Sequence, residues 1–248
     1  MMFGDLIKWL VDNGLTVRLI NDDLLKVVGD LTKVTEPIKE SLRRHRQTFL
    51  DHFRQLSPTR HRSVQIGTRQ FEFGIWQGQQ LGTTIAIDTE TRLIQGTEIP
   101  ELALASVSDG QQHYVVPVQR LGQFITQHRD HQFVAHNAAF DFWVIERALR
   151  PDSGAWWAIA DQGRLHDTML LDALLRLAAT DEFPQNRDLG MIAQDYAGIP
   201  IDKCDPYRLR YGEIIGQDLT NVEPGFLSYA ITDAIATRLA WDKLQSEA

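Results

Sequence analysis

Two acidic side chains close an apolar stretch in "TTIAIDTET", residues 83–91. The run Thr83–Ile87 has the character of a buried strand, and Asp88 and Glu90 follow it. Residues two apart on a strand point to the same face, so both carboxylates converge on one spot. Their repulsion and partial burial are costly unless a cation joins them. By itself, the stretch fits a cation-binding pair of acids and a solvated strand end equally well.

Two further aspartates lie in apolar surroundings. Asp141 stands in "FVAHNAAFDFWVIERAL", near the start of a helix that the pattern predicts over residues 138–149. Asp233 stands in "FLSYAITDAIATRLAW", four residues after Tyr229, and positions four apart share a helix face. An aspartate in so apolar a stretch is usually paired, bound to a ligand or at the rim of a cleft. Taken singly, each also fits a structural role: Asp141 next to a helix dipole, and Asp233 in a salt bridge.

The elements around these acids predict an α/β domain over residues 64–248. After two lead-in strands, three strands form a meander at 83–88, 101–109 and 112–118. Strands then alternate with helices up to a short strand in "GRLHDT", and the remainder reads as mainly helical. This order predicts a mixed β-sheet flanked by helices.

The first 56 residues predict a separate small α+β unit. Its pattern indicates an amphipathic helix, a hairpin that turns at residues 21–23, and a helix that Pro37 opens and that runs to residue 56. Residues 57–63 read as a linker. The segment 43–62 carries six arginines and one aspartate, which fits either a solvated helix face or a nucleic-acid contact.

Composition narrows the class of protein. No apolar run approaches the roughly 18 residues of a membrane helix, and we expect neither a secretory signal nor a membrane partner. One cysteine, Cys204, rules out an internal disulfide and is typical of a reducing, cytoplasmic compartment. The net charge of −8 argues against a protein that coats duplex nucleic acid, although an enzyme can hold a short strand through metal ions.

In order and spacing, the acids resemble the three exonuclease motifs of the DEDD (DnaQ-like) superfamily. The motifs are Asp88-Thr-Glu90, Asn137-Ala-Ala-Phe140-Asp141 and Tyr229-Ala-Ile-Thr-Asp233. A tyrosine four residues before the last aspartate resembles the DEDDy branch, typified by the proofreading domain of DNA polymerase I and related to ribonuclease D. Between the motifs, "HDTMLLDALL" (166–175) and "RDLGMIAQDYAGIPIDK" (187–203) resemble the same proteins. The resemblance covers residues 83 to about 244 and implies a ribonuclease H-like fold.

The resemblance implies a metal-dependent 3′→5′ exonuclease that releases nucleoside 5′-monophosphates. Its catalytic residues would be Asp88, Glu90, Asp141, Tyr229 and Asp233. The four acids would hold two divalent ions, Mg²⁺ or Mn²⁺, which are hard cations that prefer oxygen ligands. Two such ions can generate the nucleophile and neutralise charge on the attacking and leaving oxygens. Tyr229 would orient the attacking water, since an ordinary tyrosine pKa near 10 suits positioning better than proton abstraction.

Other residues are expected to surround the terminal nucleotide. Thr89, Asn137, Phe140 and Leu93 are candidates for substrate binding. Capping of its helix is an equal alternative for Asn137, and core packing is the alternative to base stacking for Phe140 and Leu93. Asp167 is expected to hydrogen-bond behind the site rather than to bind an ion.

The expected substrate is the 3′ end of single-stranded or frayed DNA. DNA is favoured over RNA because the segments between the motifs look closer to polymerase I. An exoribonuclease similar to ribonuclease D is the main alternative, and a non-catalytic nucleic-acid-binding or adaptor protein is another. Residues 1–56 resemble a TubC-type docking domain in the order of their elements. We expect a stand-alone trimming enzyme, or a proofreading subunit that this likeness would dock on a separate polymerase or other protein through residues 1–56. A helical cap on the main domain fits the same pattern.

Overall fold

The computed structural model describes residues 3–21, 24–49, 62–181, 183–184, 187–201 and 205–248. The chain divides into two compact units, Met1–Arg60 and His61–Ala248. Within the described residues, no helix has both the length and the apolar character needed to cross a membrane.

The first unit contains two helices and a hairpin. Its elements are α1 (Phe3–Asp12), β1 (Thr16–Asn21), β2 (Leu24–Val28) and α2 (Glu36–Arg44), and the two strands pair antiparallel. Five buried side chains form its own small core: Leu6, Leu10, Leu15, Ile38 and Phe49.

The long second helix of this unit is shorter than the sequence predicts. Helix α2 has Pro37 in its first turn, where a missing N–H is tolerated, but it ends at Arg44 because His45 leaves helical geometry at a ψ of 11°. Residues 46–49 are helical again. The rest of the predicted helix, residues 50–56, and the hairpin turn residues 22–23 lie outside the described residues.

A seven-stranded mixed sheet forms the centre of the second unit. The strands are β3 (Arg62–Ile66), β4 (Arg69–Ile75), β5 (Thr84–Thr91), β6 (Leu102–Ser108), β7 (His113–Pro117), β8 (Gln132–Ala135) and β9 (Leu165–Asp167). Their order across the sheet is β3-β4-β7-β6-β5-β8-β9. Strands β5, β6 and β7 form the predicted antiparallel meander, and β8 and β9 add parallel strands beside β5.

Helices cover both faces of this sheet, which confirms the predicted α/β class. They are α3 (Val118–Gln127), α4 (Ala138–Leu149), α5 (Gly154–Asp161), α6 (Thr168–Thr180), α7 (Leu189–Ile192) and α8 (Pro224–Glu247). On one face, α3, α4 and α5 bury side chains against Ile85 and Ile87 of β5. On the other face, Trp241 of α8 packs against Ala86 of β5 and Val134 of β8. Strand β5 therefore lies between two helical layers.

The expectation of a mainly helical C-terminal part is wrong for residues 205–223. This stretch forms two 3-10 turns, Pro206–Leu209 and Tyr211–Glu213, instead of a regular helix. Asp205 accepts a hydrogen bond from the Tyr207 N–H at 2.8 Å, and this bond with the following proline starts a tight turn. Gly216 then adopts a φ of +76°, which favours glycine and interrupts helical geometry.

Candidate active site

Strand β5 presents Asp88 and Glu90 at one end of the sheet. The strand continues to Thr91, so both acids stand on the strand itself and share its α8 face. Its register with β6 shifts between Glu90 and Thr91, a local irregularity of the kind that redirects side chains beside active sites. Asp88 is half-buried and Glu90 is buried.

Helix α8 brings Tyr229 and Asp233 to the same place. The two residues are four apart on the helix, both are buried, and both line a cleft together with Asp88 and Glu90. Burial raises the pKa of Tyr229 above its usual range, and the charges of Asp233 and Glu90 raise it further. The hydroxyl of Tyr229 therefore keeps its proton and can act only through hydrogen bonds.

Asp141 reaches β5 from the opposite helical layer. It lies in the first turn of α4 with 3% of its surface exposed. The backbone N–H of Thr89 donates to Asp141 Oδ1 at 3.0 Å, and the Thr89 hydroxyl donates to the same oxygen at 2.6 Å. Burial raises the pKa of Asp141 to about 7; the Thr89 hydrogen bonds oppose this rise, and the nearby Asp167 carboxylate adds to it.

Asp167 holds the first turns of two helices together. Its Oδ1 accepts the N–H groups of Met169 and Asn137 at 2.9 and 3.1 Å, and its Oδ2 accepts the N–H of Ala138 at 2.9 Å. Asn137 occupies the predicted N-cap position of α4, but its side chain makes no cap hydrogen bond; the N–H of Ala138, the first residue of the helix, donates to Asp167. Asn137 is exposed, with a left-handed φ of 65°.

The cleft has a volume of about 260 Å³. Seven of the residues singled out in the sequence line it: Asp88, Thr89, Glu90, Leu93, Phe140, Tyr229 and Asp233. Asp141, Asn137 and Asp167 do not line it, although Asp141 contacts Thr89 directly. Core packing of Leu93 is wrong, since this residue is 51% exposed. Phe140 packs against the core, which is one of its two predicted alternatives, and it also lines the cleft.

Sequence reasoning missed the residues that a 3-10 turn contributes to the cleft. Arg208 and Leu209 of the turn Pro206–Leu209 line it, as do Arg92 and Ile94 from the segment after β5. The positive charge of Arg208 opposes the rise in the Tyr229 pKa. The Asp205–Pro206 pair predicts a turn, but no local sequence pattern predicts that this turn lines the cleft with the acids.

The donor set fits hard divalent cations by its chemistry. Asp88, Glu90 and Asp233 offer only carboxylate oxygens to the cleft, with Asp141 behind Thr89, and oxygen is what Mg²⁺ and Mn²⁺ prefer. Among the described residues, no three acidic, histidine or cysteine side chains are already drawn together around a single ion position. The carboxylates thus provide oxygen ligands of the kind that a divalent ion prefers.

A family model described as a 3′–5′ exonuclease matches residues 75–248 of this chain. The match includes all four acids and Tyr229. Among curated protein sequences, none matches this chain.

The EXO domain of Aedes aegypti Nibbler shares the fold. It is 16% identical with a TM-score of 0.51, over 66% of this chain and 78% of that one. Escherichia coli RNase D is 19% identical with a TM-score of 0.46, over 66% of this chain and 39% of that one. A Trypanosoma brucei RNase D–GMP complex is 14% identical with a TM-score of 0.48, over 65% of this chain and 50% of that one. The matched region spans half or less of the two RNase D chains.

Proposed function

Because the chain belongs to the 3′–5′ exonuclease family, we propose that it is a metal-dependent exonuclease of the DEDDy branch. It shortens single-stranded or frayed DNA from the 3′ end and releases nucleoside 5′-monophosphates. A cytoplasmic location belongs to the same proposal, on the ground of the single cysteine, Cys204.

One observation carries this proposal. Three carboxylates and one tyrosine from β5 and α8 line a single cleft, although up to 145 positions separate Asp88 from Asp233 in the sequence. Acids placed for a local structural reason, such as helix capping or a surface salt bridge, would have no cause to meet there. Their convergence favours a shared cation, because grouped and buried carboxylates are costly without one.

Asp88, Glu90, Asp141 and Asp233 would hold two Mg²⁺ or Mn²⁺ ions. When bound, such ions supply a nucleophilic hydroxide at neutral pH and offset charge on the attacking and leaving oxygens of the phosphodiester. The protein's part is to fix the carboxylates: Thr89 holds Asp141 by two hydrogen bonds, and the β5 backbone sets the spacing of Asp88 and Glu90.

Tyr229 orients the attacking water through its hydroxyl. A protonated tyrosine cannot take the proton from that water, so its contribution is alignment of the nucleophile with the phosphorus. At the rim, Leu93 and Phe140 offer apolar surface to the terminal base, and Thr89 offers polar groups. Asn137, which is exposed and precedes α4, would contact the nucleotide from outside the cleft lining. Arg208 joins them as a cation suited to the terminal phosphate.

Residues 1–56 form the second part of the proposal. They dock the nuclease on a separate polymerase or another protein, in the manner of the TubC-type domain that they resemble. The separate core of Leu6, Leu10, Leu15, Ile38 and Phe49 supports a unit that folds around its own side chains.

Digestion of 5′-labelled oligonucleotides tests the main proposal. Single-stranded DNA and RNA of one sequence are incubated in parallel with Mg²⁺, Mn²⁺ or a chelator. We expect a ladder that shortens from the 3′ end of DNA, that needs the metal, and that disappears in Asp88→Asn. The matched control Asp130→Asn, at an aspartate whose side chain is 84% exposed, keeps full activity.

The same assay separates the alternatives. Faster shortening of RNA would make the protein an exoribonuclease with the same site. An intact substrate under every metal condition, with the folded protein still retaining the strand, would make it a nucleic-acid-binding or adaptor protein.

A further inference from the structure

Two tryptophans form an exposed aromatic surface on the helical layer next to the cleft. Trp143 of α4 is 44% exposed and Trp157 of α5 is 38% exposed. Their ring centroids lie 5.8 Å apart in an edge-to-face arrangement. Arg147, also exposed, follows Trp143 by four positions on α4. We call Trp143, Trp157 and Arg147 the aromatic track.

The packing of α5 on α4 does not account for this exposure. Trp156, the neighbour of Trp157, is fully buried and donates its indole N–H to the Phe142 carbonyl at 3.1 Å. Its ring stacks on Phe142 at a centroid distance of 5.9 Å. Trp157 adds an edge-to-face contact with Phe142 at 4.8 Å, but 38% of Trp157 and 44% of Trp143 stay exposed, so parts of both indoles remain available to a ligand.

The aromatic track continues the cleft along α4. Phe140 lines the cleft, and Trp143 and Arg147 follow it at spacings of three and four residues, which place all three on one side of the helix. At 1.5 Å per residue, Trp143 lies about 4.5 Å and Arg147 about 10 Å beyond Phe140 along the helix axis. The helix thus leads from the acids at its N-terminal end to an aromatic and basic surface.

The chemistry of this surface fits a single nucleic-acid strand. Bases stack on aromatic side chains whatever their sequence, and an arginine one helical turn beyond Trp143 can contact the backbone phosphates. A folded protein partner would not need a surface that continues from the cleft. Continuity with the cleft and the positive charge of Arg147 therefore favour a strand over a protein.

We propose that the aromatic track binds the nucleotides immediately 5′ of the terminal nucleotide, by stacking on Trp143 and Trp157 and a phosphate contact at Arg147. This inference rests on the proposed function, because it assumes that the 3′ end enters the cleft. The track would set the preference for long single strands over very short ones.

Steady-state kinetics on two substrate lengths test the track. The substrates are a dinucleotide, which fills only the cleft, and a 12-nucleotide strand, which also reaches the track. Stacking contributes about 1–3 kcal/mol per base. We therefore expect Trp143→Ala to raise KM for the 12-nucleotide strand about tenfold, with kcat and dinucleotide cleavage unchanged. Trp143→Phe restores most of the affinity, and Leu174→Ala, at a 50% exposed leucine of α6, changes neither substrate.

A second measurement separates loss of strand binding from loss of folding and from loss of cleavage. Anisotropy of a labelled 12-nucleotide strand in chelator reports binding without cleavage, for wild type, Trp143→Ala and the surface variant Arg147→Gln. Weaker binding by both variants supports the track even if wild type degrades neither substrate, a result that would overturn only the exonuclease proposal. Unchanged binding by folded Arg147→Gln and Trp143→Ala, or equal losses on both substrate lengths, overturns the track.

Discussion

Two buried aspartates on different helices, Asp172 and Asp141, have opposite environments. Asp172 of α6 is fully buried, but Arg187 contacts it at 2.7 Å and Arg176 at 2.9 Å, and the Tyr196 hydroxyl donates to it at 2.9 Å. Burial tends to raise the pKa of Asp172, yet the hydrogen bonds from these partners outweigh it and hold that pKa below its usual value. Asp141 of α4 has hydroxyl and amide partners from Thr89, and its pKa rises to about 7.

The difference shows how the chain uses buried acids in two ways. The charge of Asp172 is balanced by the protein's own arginines, which tie α6 to the segment 187–197. Within the described part of the chain, hydrogen bonds from Thr89 hold the Asp141 carboxylate, and Thr89 lies on β5 between Asp88 and Glu90. Arginines therefore balance the charge of Asp172, whereas a bound cation would stabilise the charged form of Asp141, whose pKa burial raises.

The largest expected effect is on activity at Asp141. Replacement by asparagine keeps the size and the Thr89 hydrogen bonds but removes a metal ligand, which is worth several kcal/mol of transition-state stabilisation. We expect kcat to fall by about 10³-fold or more, or about 4 kcal/mol, with the fold intact. Single-turnover digestion of 5′-labelled DNA measures it. The control Asp161→Asn, at an exposed position of α5, should match wild type, and an Asp141→Asn enzyme within tenfold of wild type would remove Asp141 from the ligand set.

The next effect is on stability at Asp172. Asp172→Asn removes the fully buried carboxylate that pairs with Arg187 and Arg176, although both arginines keep their contact with Asp195. We expect the loss of this buried partner to cost about 3 kcal/mol. Urea denaturation followed by circular dichroism gives the free energy of unfolding. Asp195→Asn, at the 46% exposed acid that also contacts both arginines, should cost less than about 1 kcal/mol. Similar losses of unfolding free energy in Asp172→Asn and Asp195→Asn would contradict the expectation that the buried acid stabilises the fold more than the exposed one.

Tyr229 should show a smaller loss that leaves stability unchanged. Tyr229→Phe removes the hydroxyl and keeps the ring, so we expect kcat to fall about 10²-fold through poorer alignment of the water, with little change in KM. Because the hydroxyl stays protonated, the pH–rate profile should keep its shape. Tyr114→Phe on β7 is the control. A profile that loses an alkaline limb in Tyr229→Phe would instead indicate a titrating base.

The smallest effect is a gain in the free energy of unfolding of Asp141→Asn that depends on pH. The folded pKa of Asp141, about 7, exceeds the unfolded value near 3.9, so the folded chain holds an extra proton between them and its stability falls as pH rises through that window. In metal-free buffer, Asp141→Asn should be more stable than wild type by about 1–2 kcal/mol at pH 8 and equal to it at pH 4. Asp172 has the opposite sign: its contribution is present above pH 4 and is lost as pH falls through its lowered pKa. A gain for Asp141→Asn at pH 4 as large as at pH 8 would contradict this assignment.

Regular periodicity made much of the main fold predictable. The apolar run of β5 and the 3.6-residue pattern of α4 depend on neighbours along the chain, and the predicted helix 138–149 has the bounds that α4 shows. The order of strands and helices was enough for the α/β class, and the order and spacing of the motif residues were enough for the exonuclease family.

The parts that escaped prediction depend on contacts distant in sequence. Arg208 enters the cleft through a 3-10 turn with no periodic signal, and Asp167 caps a helix that begins 29 positions before it. Of the partners of Asp172, Arg176 lies on the same helix, whereas Arg187 and Tyr196 lie 15 and 24 positions further along the chain. The exposure of Trp143 and Trp157 could not be predicted, because they stand in apolar segments whose large residues are all expected to pack in the core.

Manganese binding tests the central claim most directly, namely that acids from three separate elements act as one ligand set. Free Mn²⁺ is counted by electron paramagnetic resonance as protein is titrated in, for wild type, Asp88→Asn, Asp233→Asn and Asp172→Asn. We predict two bound ions per wild-type chain, loss of at least one in Asp88→Asn and in Asp233→Asn, and no change in folded Asp172→Asn. Retention of both ions by Asp88→Asn and Asp233→Asn, or no bound Mn²⁺ in wild type, would contradict the account.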